Sequence, residues 1–135
     1  MRIAVNAWFL DQPGTGSGQY LRGLLGAMAG LAPEHQVLLV LPGPVDFEVP
    51  GLKVERAALK SRLWRTNLGK LLFEQAAFPR ACRHWRADVA HVPYWGSPLW
   101  PGAPAVVTIH DLIPLLLPAY RGGPLVRLYT RLVSA

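Results

Sequence analysis

Arg2-Ile3-Ala4-Val5-Asn6-Ala7-Trp8-Phe9-Leu10-Asp11-Gln12-Pro13-Gly14-Thr15-Gly16-Ser17-Gly18 is the stretch that decides the fold. Its first part, Arg2 to Leu10, reads as a strand buried on both faces, the kind that sits centrally in a parallel sheet. The remainder empties through Gly14, Gly16 and Gly18 into a helix expected to open near Gln19, with Ser17 as its N-cap. Open N–H groups and the helix dipole at such a start favour an anion, which makes phosphate chemistry the first reading; a plain tight connection is the other.

Outward from that turn, Leu21, Leu24, Leu25, Met28 and Leu31 recur at helical spacing, and Gly30 with Pro33 marks the stop. Gln36 to Leu41 reads as a second strand closed by Pro42-Gly43-Pro44, so a right-handed parallel crossover is expected. Leu52 to Leu59 reads as a third strand at an edge, because Lys53, Val54 and Glu55 alternate. A helix is expected from Leu63 to Phe78 with Leu68, Leu71, Leu72 and Phe78 inward and the basic residues outward, Pro79 kinking or restarting it through Trp85. Ala87 to Val92 and Ala105 to Ile109 read as further strands, and Pro124 to Ala135 as an amphipathic segment with Leu125, Leu128, Tyr129 and Leu132 on one face. Strands alternating with helices place the chain among open α/β folds, a Rossmann-like parallel sheet with helices on both faces, whose ligands gather at the carboxyl ends of the strands.

The totals bound the function. The 135 residues make one domain or part of one, and 51% hydrophobic content with 16% charge excludes a disordered chain. The longest apolar runs, Val37 to Val45 and Leu112 to Ala119, are short and broken by proline, so no bilayer span is expected. No signal peptide is legible either, which predicts a cytoplasmic protein. Cys82 is the only cysteine, which excludes an internal disulfide and a CxxC site. The net charge of +6 is uneven: Arg56, Lys60, Arg62, Arg65, Lys70, Arg80, Arg83 and Arg86 crowd a stretch holding one acid, Glu74. With Trp64 and Trp85 among those cations, the face suits an anionic membrane, with Arg62, Trp64, Arg65 and Arg83 as its candidates; a solvated helix face and a nucleic-acid contact are the other readings.

Known phosphate cradles can be tested residue by residue. The dinucleotide fingerprint wants its third glycine where Gln19 stands, and the second strand ends in Pro42-Gly43 without the acid that would hold a ribose; no glycine loop ends in Gly-Lys-Ser/Thr. Dehydrogenases and P-loop nucleotidases are therefore disfavoured. His110-Asp111 sits at the mouth of a buried strand: His110 offers a hydrogen bond to a substrate, or is a core histidine satisfied by backbone, while Asp111 braces the next turn. His91 lies near the end of the preceding strand, but with no completing acid or helical ligand pair a metal site is not expected. Tyr94, Trp95 and Trp100 form an aromatic loop beside the same mouth, suited to a sugar face or to rim packing.

Taken in order, Arg2-Ile3-Ala4-Val5-Asn6 with Thr15-Gly16-Ser17-Gly18-Gln19-Tyr20, Phe73-Glu74-Gln75, Ala87-Asp88-Val89-Ala90-His91-Val92-Pro93 and Thr108-Ile109-His110-Asp111-Leu112-Ile113-Pro114 carry a resemblance. The chain resembles the N-terminal, acceptor-side domain of GT-B-fold glycosyltransferases of family 4, and the ordered set covers nearly all of it. The resemblance implies a retaining transferase that moves a hexosyl unit from a nucleotide sugar to a glycan or lipid-linked acceptor, in cell-envelope polysaccharide biosynthesis. It implies donor diphosphate at Gly16, Ser17 and Gly18 and the donor sugar against catalytic His110, and beside these Asp111, Tyr94, Trp95 and His91 are the acceptor- or sugar-side candidates. It implies no metal and no cofactor beyond the donor substrate, and the basic face read above suits a peripheral position at the inner face of a membrane. The family's C-terminal nucleotide-sugar domain has no counterpart in these residues, so the chain is expected to be a truncated part of such an enzyme, inactive alone. The rival is a non-catalytic α/β binding module whose basic face meets nucleic acid or protein.

Overall fold

A computed structural model describes residues 1–58, 66–111 and 113. The chain runs β1 (Arg2–Asn6), α1 (Gly16–Leu31), β2 (Gln36–Leu41), β3 (Lys53–Ala58), α2 (Asn67–Leu72), a π-helical turn (Phe73–Ala77), α3 (Phe78–Trp85), β4 (Val89–Val92) and β5 (Ala105–Val107). Among the described residues five strands form one parallel sheet in the order β3-β2-β1-β4-β5, a Rossmann-like arrangement. β1 is central and β3 lies at an edge, as the alternation predicts. Period-two alternation sends Val5, Val37, Leu39 and Leu41 to the face covered by Leu21 and Leu25 of α1. Ala4, Leu38, Val40 and Ala90 face Phe73, Phe78, Cys82 and Trp85 on the other side. Each of those large apolar side chains contributes about 1.5–3 kcal/mol by leaving water.

Three expectations, and the bounds of three further strands, are corrected. β1 ends at Asn6 and not Leu10, because the Asn6 Oδ1 accepts the Trp8 N–H at 3.2 Å and turns the chain. Trp8 and Leu10 are then buried in turns closed by Leu10 N–H to Ala7 O and Gln12 N–H to Phe9 O. α1 opens at Gly16 with Thr15, not Ser17, as its cap: the Thr15 Oγ1 accepts the Gly18 N–H at 3.1 Å. The third correction concerns the helical arm. Gly69, Phe73, Glu74, Phe78, Pro79, Cys82 and Trp85 are the buried residues of its three pieces, whereas Leu68, Leu71 and Leu72 are exposed. The five-residue step from Phe73 to Phe78 is the π turn, which shifts the inward stripe off a 3.6-residue period. Pro79 falls at the start of α3, where a missing N–H is tolerated. The strands read as Leu52 to Leu59, Ala87 to Val92 and Ala105 to Ile109 are shorter, at Lys53–Ala58, Val89–Val92 and Ala105–Val107. Lys60, Arg62, Trp64, Arg65 and the segment from Pro124 to Ala135 lie outside the described residues.

Candidate functional site

The sheet order reverses between β1 and β4, and in open α/β sheets the crevice at the carboxyl ends of such strands receives ligands. Here that crevice is a cleft of about 320 Å³ lined by Phe9, Thr15, Gly16, Ser17, Lys70, Tyr94, Trp95, His110 and Asp111. The turn after β1 and the loops after β4 and β5 supply most of it, and α2 supplies Lys70.

On the α1 side, Gly16 and Ser17 occupy the first two helical positions, whose N–H groups have no intrahelical acceptor. Space is open where a Gly16 side chain would go. Gly18 differs: it is buried, its N–H is taken by Thr15, and an added Cβ would collide with the Gln12 O and lie 2.8 Å from the Phe9 O. Its lack of a side chain serves the approach of the turn to the helix.

On the opposite side, the His110 Nε2 lies 3.0 Å from the Pro93 O. A carbonyl only accepts, so this nitrogen carries the proton and Nδ1 of the neutral ring is an acceptor. The backbone hydrogen bond expected of His110 is therefore made at Nε2, and its ring lines the cleft. Asp111 braces the next turn, its Oδ1 accepting the Ile113 N–H at 2.9 Å. Trp95 is pinned through Nε1, which donates to the Asp111 O at 3.0 Å. His91 lies behind the cleft, buried, with Nε2 3.1 Å from the Thr108 Oγ1; burial lowers its pKa below the ordinary imidazole value. Trp100 is exposed and does not line the cleft.

Lys70 is the cation that sequence reasoning counted only in a basic cluster. Its Nζ lies 3.5 Å from the Glu74 Oε1, 5.2 Å from the Phe9 ring centroid and 5.0 Å from that of Tyr94. Glu74 itself is buried, and Gly96, at φ 127°, passes so close that a Cβ would lie 2.7 Å from the Glu74 Oε1. Gln75 holds the same loop: its Oε1 accepts the Leu99 N–H at 2.9 Å and its Nε2 donates to the Ser97 O at 3.3 Å. Phe73 stands edge-on to Trp8 with centroids 5.0 Å apart. Phe73-Glu74-Gln75 thus uses the π turn to brace both the β1 turn and the loop after β4. The Lys70/Glu74 spacing of four was the legible signal for this pair.

Arg83 lies elsewhere, on a separate groove of about 780 Å³ with Leu72, Ala76, Ala77, Arg80, Ala81 and His84. Cys82 is buried in α3, and burial pushes its thiol up to about 12, away from reactivity. Among the described residues no three His, Cys, Asp or Glu side chains cluster to hold a metal ion. Within the same residues no helix is long and apolar enough to cross a membrane.

Compared with known proteins, residues 14–135 match the family model described as Glycosyltransferase Family 4. No curated protein and no solved structure matches the chain.

Proposed function

The chain belongs to glycosyltransferase family 4, and from that premise we propose that the cleft is the acceptor-side wall of a retaining hexosyltransferase site using a nucleotide-sugar donor. One observation carries the reading: the open amides of Gly16 and Ser17 and the ring of His110 line the same 320 Å³ cleft at the sheet's switch point. In this reading the donor diphosphate meets the α1 N-terminus, where N–H groups and the dipole favour negative charge as the bond to the sugar breaks. Lys70 adds a fixed cation to that cleft. The His110 Nδ1 accepts from a sugar hydroxyl, and Tyr94, Trp95 and Asp111 meet the sugar or acceptor, with His91 supporting from behind. Gly18 shapes the turn and leaves the amide contacts to its two predecessors.

Retention follows a front-face route in which the leaving phosphate takes the acceptor's proton, so the protein's part is positioning and charge stabilisation. No metal is assigned a step. A second domain supplies the nucleotide wall, and transfer needs both. The acceptor is a glycan or lipid-linked saccharide of cell-envelope polysaccharide synthesis, reached from the cytoplasm, with Arg83 and the cationic stretch Arg62, Trp64 and Arg65 against an anionic membrane face.

Transfer by the enzyme carrying both domains tests this. His110→Ala is expected to lower kcat by about a hundredfold or more, and the product's anomeric coupling is expected to match the donor's. Undiminished transfer would remove His110 from the reaction. Vesicle binding unchanged after Arg62, Arg65 and Arg83 are neutralised would remove the membrane contact.

A further inference from the structure

Tyr20 lies outside the cleft lining but touches His110, which lines it, and Thr108 and His91 beside it. Its hydroxyl is 3.2 Å from the Thr108 Oγ1, and the same oxygen is 3.1 Å from the His91 Nε2. A single threonine hydroxyl has one proton and two lone pairs, so it can bond both of these neighbours at once. The Tyr20 ring stands nearly perpendicular to His110, centroids 5.1 Å apart at 73°, and to His91, 6.2 Å apart at 80°. Tyr20 belongs to α1, His91 to β4, and Thr108 and His110 to the segment leaving β5. One side chain therefore ties the helix to both strand ends.

His110 needs such a tie. It is exposed, and among the described residues its hydrogen bond is from Nε2 to the Pro93 O. A ring with one anchor swings about it, and only a second contact fixes which way the other nitrogen points. We propose that Tyr20 is a positioning residue for His110. Its hydroxyl is moored on Thr108, two positions before His110, and its ring closes one side of the imidazole. That arrangement holds the Nε2–H tautomer on Pro93 and reserves Nδ1 for a sugar hydroxyl. The functional consequence rests on the proposed role of His110; the positioning itself is a property of the folded chain.

Nitrogen-resolved NMR of the histidine rings in the whole chain tests it, with His35 and His84 as internal references. The unsubstituted chain is expected to show His110 as the Nε2–H tautomer. Tyr20→Leu removes ring and hydroxyl, and the Nδ1–H share at His110 is expected to rise about threefold to tenfold, the weight of one edge-to-face contact. Tyr20→Phe keeps the ring and loses the mooring, so a smaller change in the same direction is expected, together with a shift at His91. Thr108→Val cuts the same bond and is expected to match it at His110. An unchanged His110 tautomer in folded Tyr20→Leu overturns the assignment. Should Tyr20→Leu fail to fold, the other two decide: matched, partial averaging supports positioning, and an unmoved His110 in both overturns it. An enzyme whose transfer survives His110→Ala would sink the catalytic reading while leaving these tautomer populations as they are.

Discussion

The two walls of the cleft were written into the chain in different ways. The α1 wall is local: Asn6 ends β1, Thr15 caps α1, and Gly16 and Ser17 follow within a dozen residues. The Lys70 wall is assembled at a distance, by a π turn that points Phe73 at Trp8, Glu74 at Gly96 and Gln75 at Ser97 and Leu99. The difference teaches that a turn can be read from its residues, whereas the phase of a helix with an extra residue in one turn is set by what it packs against.

Substitutions separate the walls by the size of their effects. Phe73→Ala strikes the distant wall and is expected to cost about 3–5 kcal/mol in urea unfolding, because the ring is fully buried against Trp8. A cost under about 1 kcal/mol would mean that the π turn does not anchor this face. Gly18→Ala strikes the local wall by overpacking, with an expected cost of about 3 kcal/mol, since its Cβ meets two backbone oxygens. Gln75→Ala is milder, about 1 kcal/mol, for loss of its bonds to the loop after β4. Gly16→Val is expected to stay within about 0.5 kcal/mol of the starting stability, because its side chain enters open space.

Acid probes the ground behind the α1 wall. His91 has a folded-state pKa below its unfolded value of about 6.5, so below that value the unfolded chain binds more protons. The stability that neutral His91 contributes is therefore complete above about pH 6.5 and is lost as pH falls toward the folded pKa. His91→Gln is expected to flatten that part of the stability curve, and an unaltered slope would assign it to other groups.

Much of this architecture was legible and the reasons for the remainder are physical. β2 was read to its ends because its run is uniformly apolar and closed by Pro42-Gly43. β1 was read too long because Trp8 and Leu10 are buried in turns and look like strand residues. Asn6 was the signal for its end. Gly16, Ser17, Tyr94, Trp95, His110 and Asp111 were named from sequence and share one cleft. Phe9 and Lys70 were missed, as was the Tyr20–Thr108–His91 chain, because each depends on contacts between residues far apart in sequence.

The central claim is that the α1 wall meets a diphosphate beside His110. Titration of the isotope-labelled chain with a nucleoside diphosphate, followed at each backbone amide and histidine ring, tests it most directly. Saturable shifts are expected to be largest at Gly16, Ser17 and His110, and to vanish in the folded Gly16→Val variant. Shifts that centre on the groove between Leu72 and His84, or that persist unchanged in Gly16→Val, would contradict it.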